Sequence, residues 1–250
     1  MYLEVKNLKK SYNENLVLNS ISFGVEKGEL LCILGESGCG KTTTLNAIGG
    51  FIDIDEGAII IDGENLTKLD ASVRPTSTVF QSYGLFPNMT VLENVTYGLK
   101  IRKIKKKERN EIGMKYLDIV SLSDIANKNV EDISGGQKQR VALARALIVS
   151  PKVCLLDEPL SNLDFNLRVK MRKEIKEIQK KLGITMIFVT HDIEEAIAIA
   201  DNIMIMHKGD ILAKGKPIEL FKNCNDQYVK DFLNVSNYKI DDNNTFYKIL

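Results

Sequence analysis

The stretch Gly35-Glu36-Ser37-Gly38-Cys39-Gly40-Lys41-Thr42, followed by Thr43, has the residue types and spacing of a phosphate cradle. It fits G-x-x-x-x-G-K-[ST] between an apolar run, ELLCIL, and a helix start, TTTLNAIGG, which is the context that motif requires. Glycines let successive backbone N–H groups converge on phosphate oxygens, and the following helix turns its positive N-terminus to the same anion. Lys41 can span the β- and γ-phosphates of a nucleoside triphosphate, and the Thr42 hydroxyl can ligate Mg²⁺. These residues imply nucleotide binding.

Three further groups could act on a nucleotide held there. VCLLDEPL places Asp157 and Glu158 where a buried strand leaves its sheet, the edge at which open α/β sheets hold ligands. Adjacent strand residues point in opposite directions, so the two carboxylates cannot share one job. Asp157 can hold magnesium through water, while Glu158 orients or deprotonates an attacking water. Pro159 is expected to bias Glu158 toward an extended backbone. Two acids can also simply solvate a strand terminus, a reading the phosphate loop weighs against. His191 closes a second buried run, MIFVTH, and can donate a hydrogen bond to the γ-phosphate. Gln81, in TVFQSYGLFPNMT, sits where it could touch both the metal and the nucleophilic water. A second glycine-rich stretch, ISGGQKQR at 133–140, has no lysine in its turn and is redundant for a single nucleotide. Its Ser134 and glycine N–H groups open a helix and supply anion donors with little added charge.

The elements that must position these groups are legible in outline. YLEVKN and LVLNSISFGVEKG alternate like an antiparallel layer. KVCLLDE and TMIFVTH, separated by the helical LRVKMRKEIKEIQKKLG, read as parallel strands buried on both faces. From about 90 to 150 the period is helical, which predicts an inserted lobe. NIMIMHKGDILAKG predicts a hairpin turning at Lys208-Gly209-Asp210, and the polar residues 236–250 suggest a loosely attached tail. The run KIRKIKKKER at 100–109 reads as a solvated helix face rather than a functional basic patch.

Composition bounds the answer. With 250 residues and 44% hydrophobic content the chain can bury one large domain with an inserted lobe. A net charge of +1 gives no footprint for nucleic acid. Cys32, Cys39, Cys154 and Cys224 form no C-x-x-C pair and read as small hydrophobes in a reducing compartment, Cys39 as a tolerated residue of the loop rather than a redox switch. No charged-then-apolar leader and no apolar run near ~18 residues is present, so the chain reads as cytoplasmic.

In order and approximate spacing, Tyr12, the phosphate loop, Gln81, ISGGQKQR, CLLDEP, SNLD and His191 resemble the ATP-binding cassette (ABC) ATPases over roughly residues 2–235. The resemblance implies an α/β P-loop NTPase with a mostly parallel core sheet, an antiparallel β layer and an inserted helical lobe. It implies a cassette over 1–235 with a short tail or stub at 236–250, ATP and Mg²⁺ as ligands, and the role of ATP-hydrolysing subunit of an importer. By analogy Tyr12 stacks on adenine, residues 35–43 hold the phosphates, and Thr42, Asp157 and Gln81 attend the metal. Glu158, His191 and Gln81 serve hydrolysis. Ser134, Gly135, Gly136 and Gln137 meet the ATP of a second, head-to-tail copy, and Asp164 belongs to the loop beside that boundary. The second glycine stretch would thus serve the partner's nucleotide. Ile133 stands where Leu is usual in that signature, a conservative change.

Implied partners are a second copy of the chain, integral membrane permease subunits and, indirectly, a periplasmic or lipoprotein solute-binding protein, with no nucleic acid. The chain would work peripherally at the cytoplasmic face of the membrane. VFQSYGLFPNMTVLENVTYGLK is similar to importers for ferric ion, polyamines, phosphonates and osmolytes. Its Tyr83, Leu85, Phe86 and Met89 are expected to be an exposed apolar set that docks a permease helix, the alternative being that they form the lobe's own core. Many relatives carry a β-rich C-terminal regulatory domain, expected here to be absent or a stub. A non-transport cassette acting on nucleic acid or ribosomes would need a second cassette or long coiled coil, which 250 residues do not accommodate. Another P-loop kinase or GTPase has no reason to contain ISGGQKQR followed by CLLDEPLSNLD.

Overall fold

The computed structural model describes residues 1–241 and 245–248. In chain order the strands and α-helices are β1 Leu3–Tyr12, β2 Asn15–Val25, β3 Leu30–Gly35, α1 Lys41–Gly49, β4 Glu56–Ile61, β5 Glu64–Asn65, β6 Thr76–Val79, α2 Val91–Ile101, α3 Lys106–Ile119 and α4 Gly135–Leu147. There follow β7 Val153–Asp157, α5 Phe165–Leu182, β8 Thr185–Thr190, α6 Ile193–Ile199, β9 Asn202–His207, β10 Asp210–Gly215, α7 Pro217–Asn223, α8 Gln227–Phe232, β11 Tyr238–Ile240 and β12 Phe246–Lys248.

A six-stranded sheet of order β10-β9-β3-β8-β7-β6 is parallel except for β10, which turns back on β9 through the expected hairpin. Every residue of β3 and β8 is buried, as continuous apolar runs in a covered parallel sheet require. The period-2 alternation of these strands divides the core in two. Leu31, Ile33, Leu155, Ile187 and Val189 face α1 and the four-stranded antiparallel sheet β2-β1-β4-β5. Cys32, Leu34, Cys154, Leu156 and Phe188 face α4, α5 and α6. The carboxyl ends of β3, β7 and β8 therefore share one sheet edge.

Helices α2, α3 and α4 occupy the span read as the inserted lobe. Thr90 and Glu93 form a capping box on α2, and Asp164 and Gly183 cap the two ends of α5. The strand pair β4 and β5 escaped the sequence reading, although Asp62-Gly63 carries its signal. Both residues have positive φ (54° and 78°), the geometry of a two-residue type I′ hairpin loop.

The C-terminal segment differs from expectation. In place of a loose tail, β11 and β12 pair antiparallel. Tyr238 and Phe246 pack edge-on against Phe221 at 5.4 and 4.9 Å, and Lys248 pairs with Glu194 at 2.8 Å. The apolar positions Tyr238, Ile240 and Phe246 are few, but the hairpin places them together on the core. Residues 242–244 and 249–250 of that expected tail lie outside the described residues. Among the described residues no helix is long and apolar enough to cross a membrane.

Candidate functional site

The phosphate loop links β3 to α1. Gly40 caps α1 at φ 105° with no side-chain hydrogen bond and no acid in the first turn, so the helix N-terminus keeps its donors and partial positive charge for an anion. Gly38, at φ 80°, has open space where a side chain would stand, which leaves the backbone approachable. Lys41 is 5% exposed, and its ammonium donates to the carbonyls of Gly35 and Glu36, both at 2.8 Å. Its charge is thus held beneath the loop, with donors that a phosphate can claim in exchange. Burial raises the Cys39 thiol above its ordinary value, with Lys41 opposing the shift. The thiol is therefore protonated at neutral pH, consistent with a tolerated small residue.

At the shared sheet edge the two carboxylates diverge. The Thr42 hydroxyl donates to Asp157 Oδ1 at 3.1 Å, while Glu158 Oε2 lies 3.3 Å from Nδ1 of His191. Burial pushes the Asp157 carboxyl upward, with the Thr42 hydrogen bond opposing. Among the described residues no group of three His, Cys, Asp or Glu could cage a metal. A hard cation here would take Thr42 and Asp157 and complete its shell with phosphate oxygens and water, as Mg²⁺ does at nucleotide sites.

Glu158 departs from the expected extended backbone: its φ is 43°. The turn overrides the preference imposed by Pro159. The Glu158 N–H donates to Val189 at 3.1 Å, and its carbonyl accepts the Ser161 N–H at 3.2 Å and hydroxyl at 2.9 Å. These bonds hold a conformation that costs a non-glycine residue about 1–3 kcal/mol. Beside it, Glu158, Ser161, Thr190 and His191 help line a cavity of about 50 Å³, which admits a water molecule.

Gln81 lies just beyond β6 with an exposed side chain, and its backbone carbonyl accepts the amide of Asn162 at 2.9 Å. The same segment is anchored to α4, where Arg145 donates to the carbonyls of Gly84 (2.7 Å) and Tyr83 (2.9 Å). The apolar set nearby is less open than expected. Tyr83, Leu85 and Met89 are half-buried, and only Phe86 is exposed, at 36%, with its ring 4.4 Å from Tyr97 and beneath Arg145. Tyr83 and Leu85 pack against the core cluster that includes the lobe helices.

The second glycine stretch opens α4. Ser134 and Gln137 form a reciprocal capping box, with the Ser134 N–H donating to Gln137 Oε1 at 2.9 Å and the Gln137 N–H donating to Ser134 Oγ at 3.4 Å. Gly135 is exposed, while Gly136 packs on Leu167 of α5. Among the described residues no hydrogen bond or ion pair joins 134–137 to the phosphate loop. Tyr12, 46% exposed at the end of β1, presents its ring to solvent with the Lys10 ammonium 5.3 Å from the centroid. Asp164 accepts the Leu167 N–H at 3.0 Å as the cap of α5.

A family model described as ABC transporter matches residues 18–161, which contain the phosphate loop, Gln81, the second glycine stretch and both carboxylates. The chain belongs to the ABC transporter family. This ABC chain is 46% identical to the spermidine/putrescine import ATP-binding protein PotA of Hahella chejuensis, over 99% of its own length and 69% of that protein. It is 48% identical to PotA of Mannheimia succiniciproducens over 92% of this chain and 62% of that protein. It is 45% identical to the Fe(3+) ions import ATP-binding protein FbpC of Pasteurella multocida over 94% and 67%. The chain thus spans 62 to 69% of the length of these curated relatives.

Among solved structures, cbiO1 of Clostridium perfringens, described as part of the ABC transporter complex cbiONQ, superposes with a TM-score of 0.82 at 30% identity, covering 89% of this chain and 91% of that one. The ATP-binding cassette MJ0796, solved as a dimer in a post-hydrolysis state bound to ADP and Pi, gives 0.76 at 32% identity over 86% and 98%. The ABC fold, with its parallel sheet, antiparallel layer and helices, is as the sequence implied.

The sequence reading missed several residues around this ABC site. Asn162 ties the 161–164 loop to Gln81, and Arg168, Asp192 and Glu195 form a polar cluster behind His191. Asn162 lies inside the SNLD motif, but nothing local announces its partner.

Proposed function

We propose that this chain is the ATP-binding and ATP-hydrolysing subunit of an importer, working as a head-to-tail dimer at the cytoplasmic face of the membrane beneath separate permease subunits. The observation that carries the reading is the pairing of Thr42 with Asp157 and of Glu158 with His191 at adjoining strand ends beside the phosphate loop. The names of the relatives, import ATP-binding proteins for polyamines and for ferric ion, support uptake of a small cationic solute, which in this reading a separate binding protein would deliver.

In this reading the loop N–H groups, the α1 N-terminus and Lys41 bind the phosphates, Tyr12 stacks on the base, and Thr42 and Asp157, with Gln81, hold Mg²⁺. Bound magnesium neutralises charge developing on the transferred phosphoryl group. Glu158 orients a water and accepts its proton. Its left-handed backbone and the His191 contact fix its aim. His191 uses Nδ1 toward Glu158, so a neutral ring has no second donor. To donate to the γ-phosphate it must part from Glu158 or carry a proton on both nitrogens. Ser134 and the N–H groups at the start of α4 would close over the nucleotide of the second copy, with Asp164 at the same boundary.

Glu158→Gln tests the assignment. The variant is expected to keep nucleotide binding, to lose hydrolysis by a factor on the order of 10² or more, and to accumulate as a dimer with MgATP in size-exclusion chromatography. Hydrolysis at the wild-type rate, or a variant that stays monomeric, would overturn it.

A further inference from the structure

Arg168 has no part in the chemistry assigned above, yet its guanidinium touches three places at once. It stands four residues beyond Asp164, in the first turn of α5. Nη2 donates to the carbonyl of Leu163 at 3.2 Å, inside the 161–164 loop. Nη1 donates to Asp192 Oδ2 at 3.4 Å, and Nε lies 3.5 Å from Glu195 Oε1.

The two acids are built into the backbone around His191. Asp192 caps α6, its Oδ1 accepting the N–H groups of Glu194 (2.8 Å) and Glu195 (3.2 Å). Glu195, only 3% exposed, accepts the Thr190 hydroxyl at 2.7 Å. That hydroxyl in turn accepts the Asp192 N–H at 3.0 Å. The residues on both sides of His191 are therefore locked to one network, and Arg168 joins it to the 161–164 loop. Arg172, one turn further along α5, adds positive charge near Glu195.

We propose that Arg168 is a positioning residue that couples the 161–164 loop to His191, so that displacement of the loop at the subunit boundary changes the aim of the histidine. The inference rests on the head-to-tail reading and deepens it. A planar, five-donor fork can hold a loop carbonyl and two carboxylates in fixed relation, which a lysine cannot. Coupling of this kind requires a physical element that both sites bias, and here that element is the loop with its arginine clamp. Stability alone is a weak reason to bury a charge such as that of Glu195.

The test separates coupling from simple support of the fold. ATP hydrolysis is measured against MgATP concentration, with thermal unfolding in parallel, for the wild type, Arg168→Met, Arg168→Lys and the double variant Arg168→Met/Glu195→Gln. The wild type is expected to respond sigmoidally. Arg168→Met is expected to lower kcat about tenfold with KM changed less than about twofold, and to bring the Hill coefficient to 1. Arg168→Lys keeps a cation beside the acids and is expected to keep stability but lose cooperativity. The double variant removes the unpaired buried acid and is expected to regain thermal stability without regaining cooperativity. Recovery of both together, or undiminished cooperativity in Arg168→Met, would overturn the proposal and leave the dimer reading intact. A wild type with a hyperbolic response and no MgATP-dependent dimer in the Glu158→Gln background would overturn both.

Discussion

A tandem-linked dimer carrying Lys41→Ala in one half and Gly135→Asp in the other tests whether the second glycine stretch serves the partner's nucleotide. The choice of Gly135 comes from the structure. A Cβ there meets Leu163 at 3.6 Å and Tyr83 Oη at 3.9 Å, ordinary contacts. At Gly136 it would lie 2.8 Å from Leu167 of the same chain, so a loss there would mix packing with chemistry. An aspartate carboxylate about 4 Å from a terminal phosphate repels it by roughly 4 kcal/mol per unit charge at an effective dielectric constant near 20, about a thousandfold in occupancy. Lys41→Ala withdraws the ammonium now held by Gly35 and Glu36. Each linked homodimer therefore has two broken sites and is expected to fall to about 1% of wild type or below. In the mixed dimer one site gathers both defects, while the other joins an intact loop to an intact signature. Its ceiling is half of wild type, and cooperative firing of two sites would lower it. The assay is phosphate release at saturating MgATP. Activity no higher than the better homodimer, while the Gly135→Asp chain still binds nucleotide, would refute closure in trans.

Three other outcomes follow from particular contacts. Arg74, 7% exposed, donates to the carbonyls of Ala47 and Ile48 at the end of α1 and to those of Leu69 and Thr67. Arg74→Met strands these acceptors and should cost about 3–5 kcal/mol, seen as a lower urea midpoint at unchanged slope; a loss below about 1 kcal/mol would contradict it. Glu195 has its carboxyl raised above the ordinary 4.5, chiefly by burial. For a raised acid the native state holds its proton more tightly, so stability falls as pH rises from the unfolded value through the folded one. The stability of Glu195→Gln relative to wild type should therefore improve across that window and level off above it; a flat difference would remove burial as the dominant influence. Phe86→Glu, at the exposed member of the set Tyr83, Leu85, Phe86 and Met89, should abolish co-purification with permease subunits while leaving thermal stability within about 1 kcal/mol of wild type, and retained co-purification would exclude that surface.

What the sequence determined by itself was the phosphate-loop motif and most of the scaffold. The phosphate loop is contiguous, and the binding proposed for it would rest on backbone N–H groups that one short run of glycines aims. For that reason residues 35–43 were readable without any fold. The buried strands β3, β7 and β8 were readable because apolar runs of that length, punctuated by helices, leave a parallel sheet as their natural arrangement. The capping box at Ser134 and Gln137 was likewise local, although the sequence suggested only its anion-binding use.

Tertiary structure decided what depends on partners distant in sequence. Pro159 by itself argues for an extended Glu158, but bonds to Val189 across the sheet and to Ser161 in the turn impose a positive φ. Tyr83 and Leu85 look like a docking surface until α4 and the lobe core cover them, whereas Phe86 stays open. The clamp of Arg168 on Leu163, Asp192 and Glu195 spans residues 163 to 195, and the Thr42 to Asp157 bond closes 115 positions. Such contacts have no local signature, because a side chain's partner is set by which strand ends the sheet brings to one edge and which helices pack behind them.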